Sequence, residues 1–219
     1  MAHISRQEYF KYLTDKLGDI PFAIDRGNKI NIWQNCKDAW RLNDGKSDWH
    51  LVLQDDSIIP DNFIEMAEQV LSRLKKEYVV SFYAGEKLRP AIEINKEKGL
   101  PYVIDRRLHN ENAICIRRER VEEMINFCDR RSATDDRKIN IWSRSKGLSV
   151  YYPIPSIVQH RIIPSVYRAL HREYLKDSPR QAVWYIEEKD CGCNEEFECE
   201  KHQKERQEAN DFWLDVITN

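Results

Sequence analysis

The run Trp49–Pro60, read WHLVLQDDSIIP, constrains this chain more than any other stretch. Leu51, Val52 and Leu53 have the length and composition of a short buried strand. The strand ends in two adjacent carboxylates, Asp55 and Asp56, and Pro60 then suits the first turn of a helix. Acids that close an apolar strand are unfavourable unless they meet water, a donor or a cation. In open α/β sheets, ligands bind at the C-terminal ends of strands. Two hard oxygen ligands there suit Mg²⁺ or Mn²⁺ carrying a substrate phosphate. A bare Asp-Asp pair is more ordinarily a solvated turn, so the rest of the chain has to decide between the two.

Around this run, helical and strand patterns alternate. Apolar positions at helical spacing occur in 5–17 (Tyr9, Phe10, Leu13, Leu17), 30–42 (Ile32, Trp33, Cys36, Ala39, Trp40) and 62–76 (Phe63, Met66, Val70, Leu74). Strand-like runs occupy 19–24, 51–53 and 78–83, and Asp25 begins the turn that follows the first of them. Ser5 is a natural N-cap and Gly18 a natural stop for the first helix. This order predicts an α/β protein, with helices on the faces of a parallel-type sheet. Farther on, 84–99 has no clear period, Pro101–Ile104 fits an extended edge, and 113–116 fits a strand. Helices are expected over 119–129 and 139–146, the second capped by Thr134 or Asp135, with a final strand over 148–152.

The 219 residues suit one large domain, or one domain and a small appendage, and 41% apolar content is enough for a core. A net charge of −2 gives no whole-chain basic footprint for nucleic acid. No stretch approaches the roughly 20 apolar residues of a membrane span, and the chain reads as a soluble cytoplasmic protein. Cys36, Cys115 and Cys128 fit reduced core thiols.

Two later features give the acidic pair partners. Asp135-Asp136 falls at an expected helix start, where acids commonly serve only as caps. His160 stands between Gln159 and Arg161, at the end of a proline-stiffened segment. A coherent division of labour assigns Asp56 and His160 to a divalent ion and Asp135 or Asp136 to an acceptor hydroxyl, as contact or general base. Arg6 and Arg161 are placed to neutralise phosphates.

These stretches resemble the GT-A-type glycosyltransferases. Trp49–Pro60 resembles their strand-and-DxD segment, and Asp135-Asp136 their acceptor-side acidic motif. Pro155–His160, PSIVQH, followed by Ser165, resembles their late signature, and Ala2–Arg6 the end of their first strand. The likeness spans roughly residues 1–166 and holds the same order. It implies a Rossmann-like mixed sheet flanked by helices, and a nucleotide-sugar donor, usually uridine diphosphate-linked, held with Mn²⁺ or Mg²⁺. By the same likeness Asp56 and His160 are the metal ligands. Arg6, Asp25, Gln54, Asp55 and Ser165 lie toward the donor, and Asp135 or Asp136 is the catalytic carboxylate. Gln54 stands where the family has its first acid, and almost no strand precedes Arg6.

From 167 to 219 a helical extension is expected, with one helix opened by Ser178-Pro179 and another over 204–217. Cys191, Cys193, Cys199 and His202 form a compact set suited to tetrahedral Zn²⁺; a disulfide or free thiols are the alternatives. The acceptor is the least legible part. The brevity of the chain and its QDD and PSIVQH wording resemble small bacteriophage glycosyltransferases that modify hydroxymethylated DNA bases. The basic pairs Arg106-Arg107, Arg117-Arg118 and Arg130-Arg131 fit a DNA acceptor. A saccharide acceptor, a zinc-dependent nucleic-acid module without transferase activity, and a metal-dependent nucleotidyltransferase are the other readings.

Overall fold

The computed structural model describes residues 1–25, 32–43, 45–161 and 181–186. In chain order the elements are β1 (Ala2–His3), α1 (Gln7–Leu17), β2 (Ile24–Asp25), α2 (Ile32–Arg41), β3 (Trp49–Leu53), β4 (Ser57–Ile58), α3 (Phe63–Ser72) and β5 (Val79–Ser81). Then follow α4 (Arg89–Glu97), β6 (Tyr102–Asp105), β7 (Ala113–Arg117), α5 (Val121–Asp129), α6 (Asp135–Ser145), β8 (Val150–Pro153) and β9 (Gln159–His160).

The main sheet has five strands in the order β3-β7-β5-β8-β6. It is mixed rather than parallel. Strand β7 runs antiparallel to both β3 and β5, β6 runs antiparallel to β8 at the edge, and β5 with β8 is the parallel pair. Alternation of helix and strand along the chain suggested a parallel sheet, but it does not register that β7 enters from the opposite end. Strands β1 and β2 form a separate parallel pair, and β4 pairs antiparallel with β9.

Strand parity divides the core. In β7, Ile114 and Ile116 face one apolar cluster while Ala113 and Cys115 face the other. Helices α2, α5 and α6 cover the first face through Trp33, Cys36, Trp40, Met124, Ile125 and Trp142. Helices α1 and α3 cover the second through Leu13, Phe63, Met66 and Val70. With both faces occupied, β7 is buried throughout Ala113–Ile116, which is why it reads as an unbroken apolar run.

Several expectations shift in detail. A 3-10 turn, Ile4–Arg6, precedes α1, so Ser5 does not cap the α-helix; its amide donates to His3 Nδ1 instead. Gly18, at φ 79°, ends α1 as expected, its N–H reaching Thr14 O. Pro60 does not open a helix directly, because β4 intervenes after the acids and α3 starts at Phe63. Helix α4 occupies a stretch without apolar period, since its one buried residue is Ile92 while Ile94 is half exposed.

Residues 181–186 are not helical. Ala182 and Tyr185 bridge to Gly85 and Ser156. Trp184, Tyr185 and Ile186 are buried in the two clusters, so this short piece of the expected extension belongs to the body. Among the described residues no helix is long and apolar enough to cross a membrane. Ser165 and the set Cys191, Cys193, Cys199 and His202 lie outside the described residues.

Candidate active site

Strand β3 of the main sheet leads directly into the acidic pair. Beyond β3, Asp55 and Asp56 occupy a tight turn closed by Ser57 N donating to Gln54 O at 3.2 Å. Both carboxylates are buried, at 5% and 7% exposure, so the solvated-turn reading fails. Their charge is met by named groups. Arg6 Nη1 donates to Asp55 Oδ1 at 2.8 Å and to Asp56 Oδ2 at 3.0 Å. The His3 amide donates to Asp55 Oδ2 at 2.8 Å.

Burial pushes the Asp55 carboxyl above the ordinary carboxylate value; Arg6 pulls it back and Asp56 pushes it up again. Burial works against the charge of Arg6 as well, but Asp55 and Asp56 outweigh it and hold the guanidinium above its ordinary value.

His160 joins this group from the other end of the chain. The β4–β9 ribbon aligns Ser57 with His160 and Ile58 with Gln159, and Arg161 N donates to Asp56 O at 2.8 Å. His160 Nε2 consequently stands 3.5 Å from Asp56 Oδ2, while its Nδ1 lies 2.6 Å from Arg161 O. That carbonyl can only accept, so Nδ1 is the donor there, and Nε2 is the ring nitrogen turned toward the carboxylate. One carboxylate and one neutral imidazole are an apt donor pair for a divalent ion. Ligand distances near 2.1 Å put two adjacent ligand atoms roughly 3 Å apart, so a small closure of the 3.5 Å gap suffices.

Asn112, which sequence reading did not single out, fixes the acid. It is 2% exposed; its Nδ2 donates to Asp56 Oδ1 at 3.3 Å, and its Oδ1 accepts from Ser57 Oγ at 2.6 Å. Its carbonyl accepts Gln54 N at 2.9 Å. The neighbouring residue, Glu111, faces the second acidic set. One carboxylate oxygen each of Glu111, Asp135 and Asp136 lies within 4.8 Å of the others. Asp135 begins α6 and is 9% exposed, while Asp136 accepts from Thr134 Oγ1 at 2.5 Å and from Arg137 N at 2.6 Å. Asp136 therefore does serve its own helix start, and Asp135 meets Glu111 as well as main-chain amides of the same turn.

Glu111 Oε1 is sealed from solvent, with no donor among the described residues. Burial drives the Glu111 carboxyl well above its ordinary value, and Asp135 drives it further. Burial also raises Asp135, although its hydrogen bond with Glu111 works the other way. Two carboxyls in such contact favour holding one proton between them. No pattern of apolar spacing could have exposed Glu111 or Asn112, because both sit in the short connection before β7.

The donor-side candidates divide. Arg6 and Asp55 touch, and Asp25 lies opposite His3 in the β1–β2 register, 9% exposed with Oδ1 lacking a partner among the described residues. Gln54 lines a small cavity with Met1, Cys36, Trp40, Val52, Glu111, Ile114 and Ile139. Arg161 packs its guanidinium 4.5 Å from the Tyr12 ring centre and 5.3 Å from that of Tyr9. It has no carboxylate partner among the described residues. No protein-family model matches the chain, and no curated protein matches it.

Proposed function

We propose that this protein is a metal-dependent glycosyltransferase that moves a sugar from a nucleotide diphosphate donor, of the uridine type, to an acceptor hydroxyl. The observation that carries the reading is the approach of His160 to Asp56 at 3.5 Å beside Asp55 and Arg6. Arg6 and His160, far apart in the sequence and singled out for one resemblance, both approach Asp56 Oδ2. The reading adds GT-A character to the mixed α/β sheet.

Asp56 and His160 are the residues that would hold Mn²⁺ or Mg²⁺, whose charge would offset that of the departing diphosphate. Arg161, stacked on Tyr12 and without a carboxylate partner among the described residues, offers a guanidinium to the same anion. Asp25 and Asp55 present acceptors to the hydroxyl and N–H groups of the nucleoside. Asp135 orients or deprotonates the acceptor hydroxyl, with Glu111 sharing the neighbouring proton. Asp136, committed to its helix start, supports the position of Asp135.

For the acceptor we favour a 5-hydroxymethyl pyrimidine in DNA. Arg130 and Arg131 are exposed on the connection leading into α6. Arg106 and Arg107 are exposed on a loop tied to that helix by Leu108 N donating to Asn140 Oδ1 at 3.0 Å. Two basic pairs thus flank the helix that carries Asp135, where a phosphate backbone would lie.

The test is a panel of nucleotide sugars against hydroxymethylated duplex, plain duplex and oligosaccharides, read by mass spectrometry. Mn²⁺-dependent sugar addition to the hydroxymethylated duplex is expected. Addition to saccharide alone replaces the DNA acceptor. Turnover of no nucleotide sugar, with or without acceptor, rejects the transferase and leaves a binding module.

A further inference from the structure

We infer that Arg6 is the resident occupant of the cation position at Asp55-Asp56, and that a divalent ion and this guanidinium compete for Asp56 Oδ2. The inference rests on the metal-binding reading above and adds an order of events to it. One nitrogen, Nη1, spans both carboxylates, at 2.8 Å and 3.0 Å. The oxygen it reaches on Asp56 is the same Oδ2 that faces His160 Nε2 at 3.5 Å. The three side chains are nearly closed to solvent, with Arg6 at 11% exposure and the acids at 7% and 10%. Water therefore screens little of the charge, and an extra cation beside the guanidinium would meet its repulsion at short range. An arginine does not lose its proton to relieve that repulsion, so it has to move.

The backbone permits the movement. Arg6 ends the 3-10 turn Ile4–Arg6 and stands at the N-cap of α1, outside the strands β3, β4 and β9 that flank the acids and carry His160. Its long side chain can leave the acids while α1 stays docked through Leu13. Tyr9, three residues on from Arg6, packs against Arg161 at 5.3 Å, so a guanidinium swung toward Tyr9 stays on the side where Arg161 is held. The exchange is electrostatically complete. The acids pass from one cation to another, and a second arginine becomes available to an anionic diphosphate. Metal and nucleotide then bind with positive coupling, because each favours the conformation in which Arg6 has left the acids.

The experiment titrates purified full-length protein with MnCl₂, and separately with UDP, by calorimetry and by Mn²⁺ electron paramagnetic resonance. In Arg6→Gln, Mn²⁺ should bind roughly 10-fold tighter without nucleotide, and the coupling between Mn²⁺ and UDP should shrink toward none. Arg6→Lys should fall between that variant and the wild type. Unchanged or weaker Mn²⁺ binding in Arg6→Gln overturns the competition. If Arg6→Gln is too unstable for titration, thermal shift decides: saturating Mn²⁺ should raise its midpoint more than it raises that of the wild type, and an equal or smaller rise overturns the proposal. Asp56→Asn separates the two claims. Mn²⁺ binding that survives in Asp56→Asn rejects the metal site itself, whatever Arg6 does, and absence of Mn²⁺ binding in every variant rejects both.

Discussion

His160 Nε2 faces Asp56 Oδ2 at 3.5 Å, and the backbone ribbon of β4 and β9, rather than the side chains, fixes that approach. Because Asp56 also anchors Arg161 N through its main-chain carbonyl, the ribbon should survive loss of the carboxylate. Asp56→Ala is expected to keep the wild-type circular dichroism while losing Mn²⁺ binding and at least about 100-fold in donor hydrolysis. His160→Ala should weaken Mn²⁺ by roughly 10- to 100-fold. Calorimetry on both variants checks this.

Asn112 should behave as a positioning residue. Its side chain holds Asp56 Oδ1 on one side and Ser57 Oγ on the other. Asn112→Ala leaves the buried Ser57 hydroxyl only the longer contact to the residue 112 main-chain carbonyl, at 3.2 Å, and removes the side-chain donor to Asp56 Oδ1. A loss of roughly 1–3 kcal/mol in stability is expected, together with a 10- to 100-fold loss in metal affinity. Ser57→Ala, which removes only the hydroxyl, should lower stability less and leave metal affinity within a few-fold. Urea unfolding and Mn²⁺ titration distinguish the two variants.

Glu111 gives the fold a pH dependence of definite sign. Its folded value lies well above the ordinary 4.5, so the native state retains a proton that the unfolded chain releases. Its favourable contribution is complete below pH 4.5 and fades as pH rises through the elevated folded value. Asp135, raised from 3.8, acts in the same direction. Wild-type stability should therefore fall with rising pH, at up to about 1.4 kcal/mol per pH unit for one proton. Glu111→Gln keeps a donor toward Asp135 and should flatten that slope. Chemical denaturation across pH 4.5–8 reads the difference; parallel curves for the two proteins would contradict the shared proton.

Gln159 ties residues 181–186 to the site. Its Oε1 accepts from His160 N at 2.9 Å and from Ala182 N at 2.7 Å. Gln159→Ala should release the 181–186 segment before the main sheet unfolds, seen as protease cleavage near Ala182 and a loss of roughly 1–3 kcal/mol. Gln159→Glu, which keeps both acceptor positions, should restrict that cleavage.

What the sequence disclosed follows from which forces leave a periodic trace. Helix α5 was legible because Val121, Met124, Ile125 and Cys128 repeat at helical spacing and all four are buried. Helix α4 was not, because it rests on the sheet through Ile92 and leaves Ile94 in solvent. Strands β4 and β9 have two residues each, too short for any pattern, yet they place Asp56 against His160. The acids and the histidine could be read from residue type and a family likeness, whereas Glu111 and Asn112 acquire meaning only through what they touch. The arginine between Asp55 and Asp56 was expected to face phosphate, and its direct engagement with both acids emerged only from the packing.

The β4–β9 ribbon has one more consequence, for the order in which the molecule acquires its chemistry. Asp55 and Asp56 leave the ribosome long before His160, and the intervening chain includes β5, β7 and β8 of the central sheet. A nascent chain halted before Gln159 holds the acids without their imidazole partner. Contacts of such sequence separation are made late and only with the intervening topology in place. On the proposed reading, the Asp56–His160 donor pair for a metal is therefore complete only once the sheet has assembled.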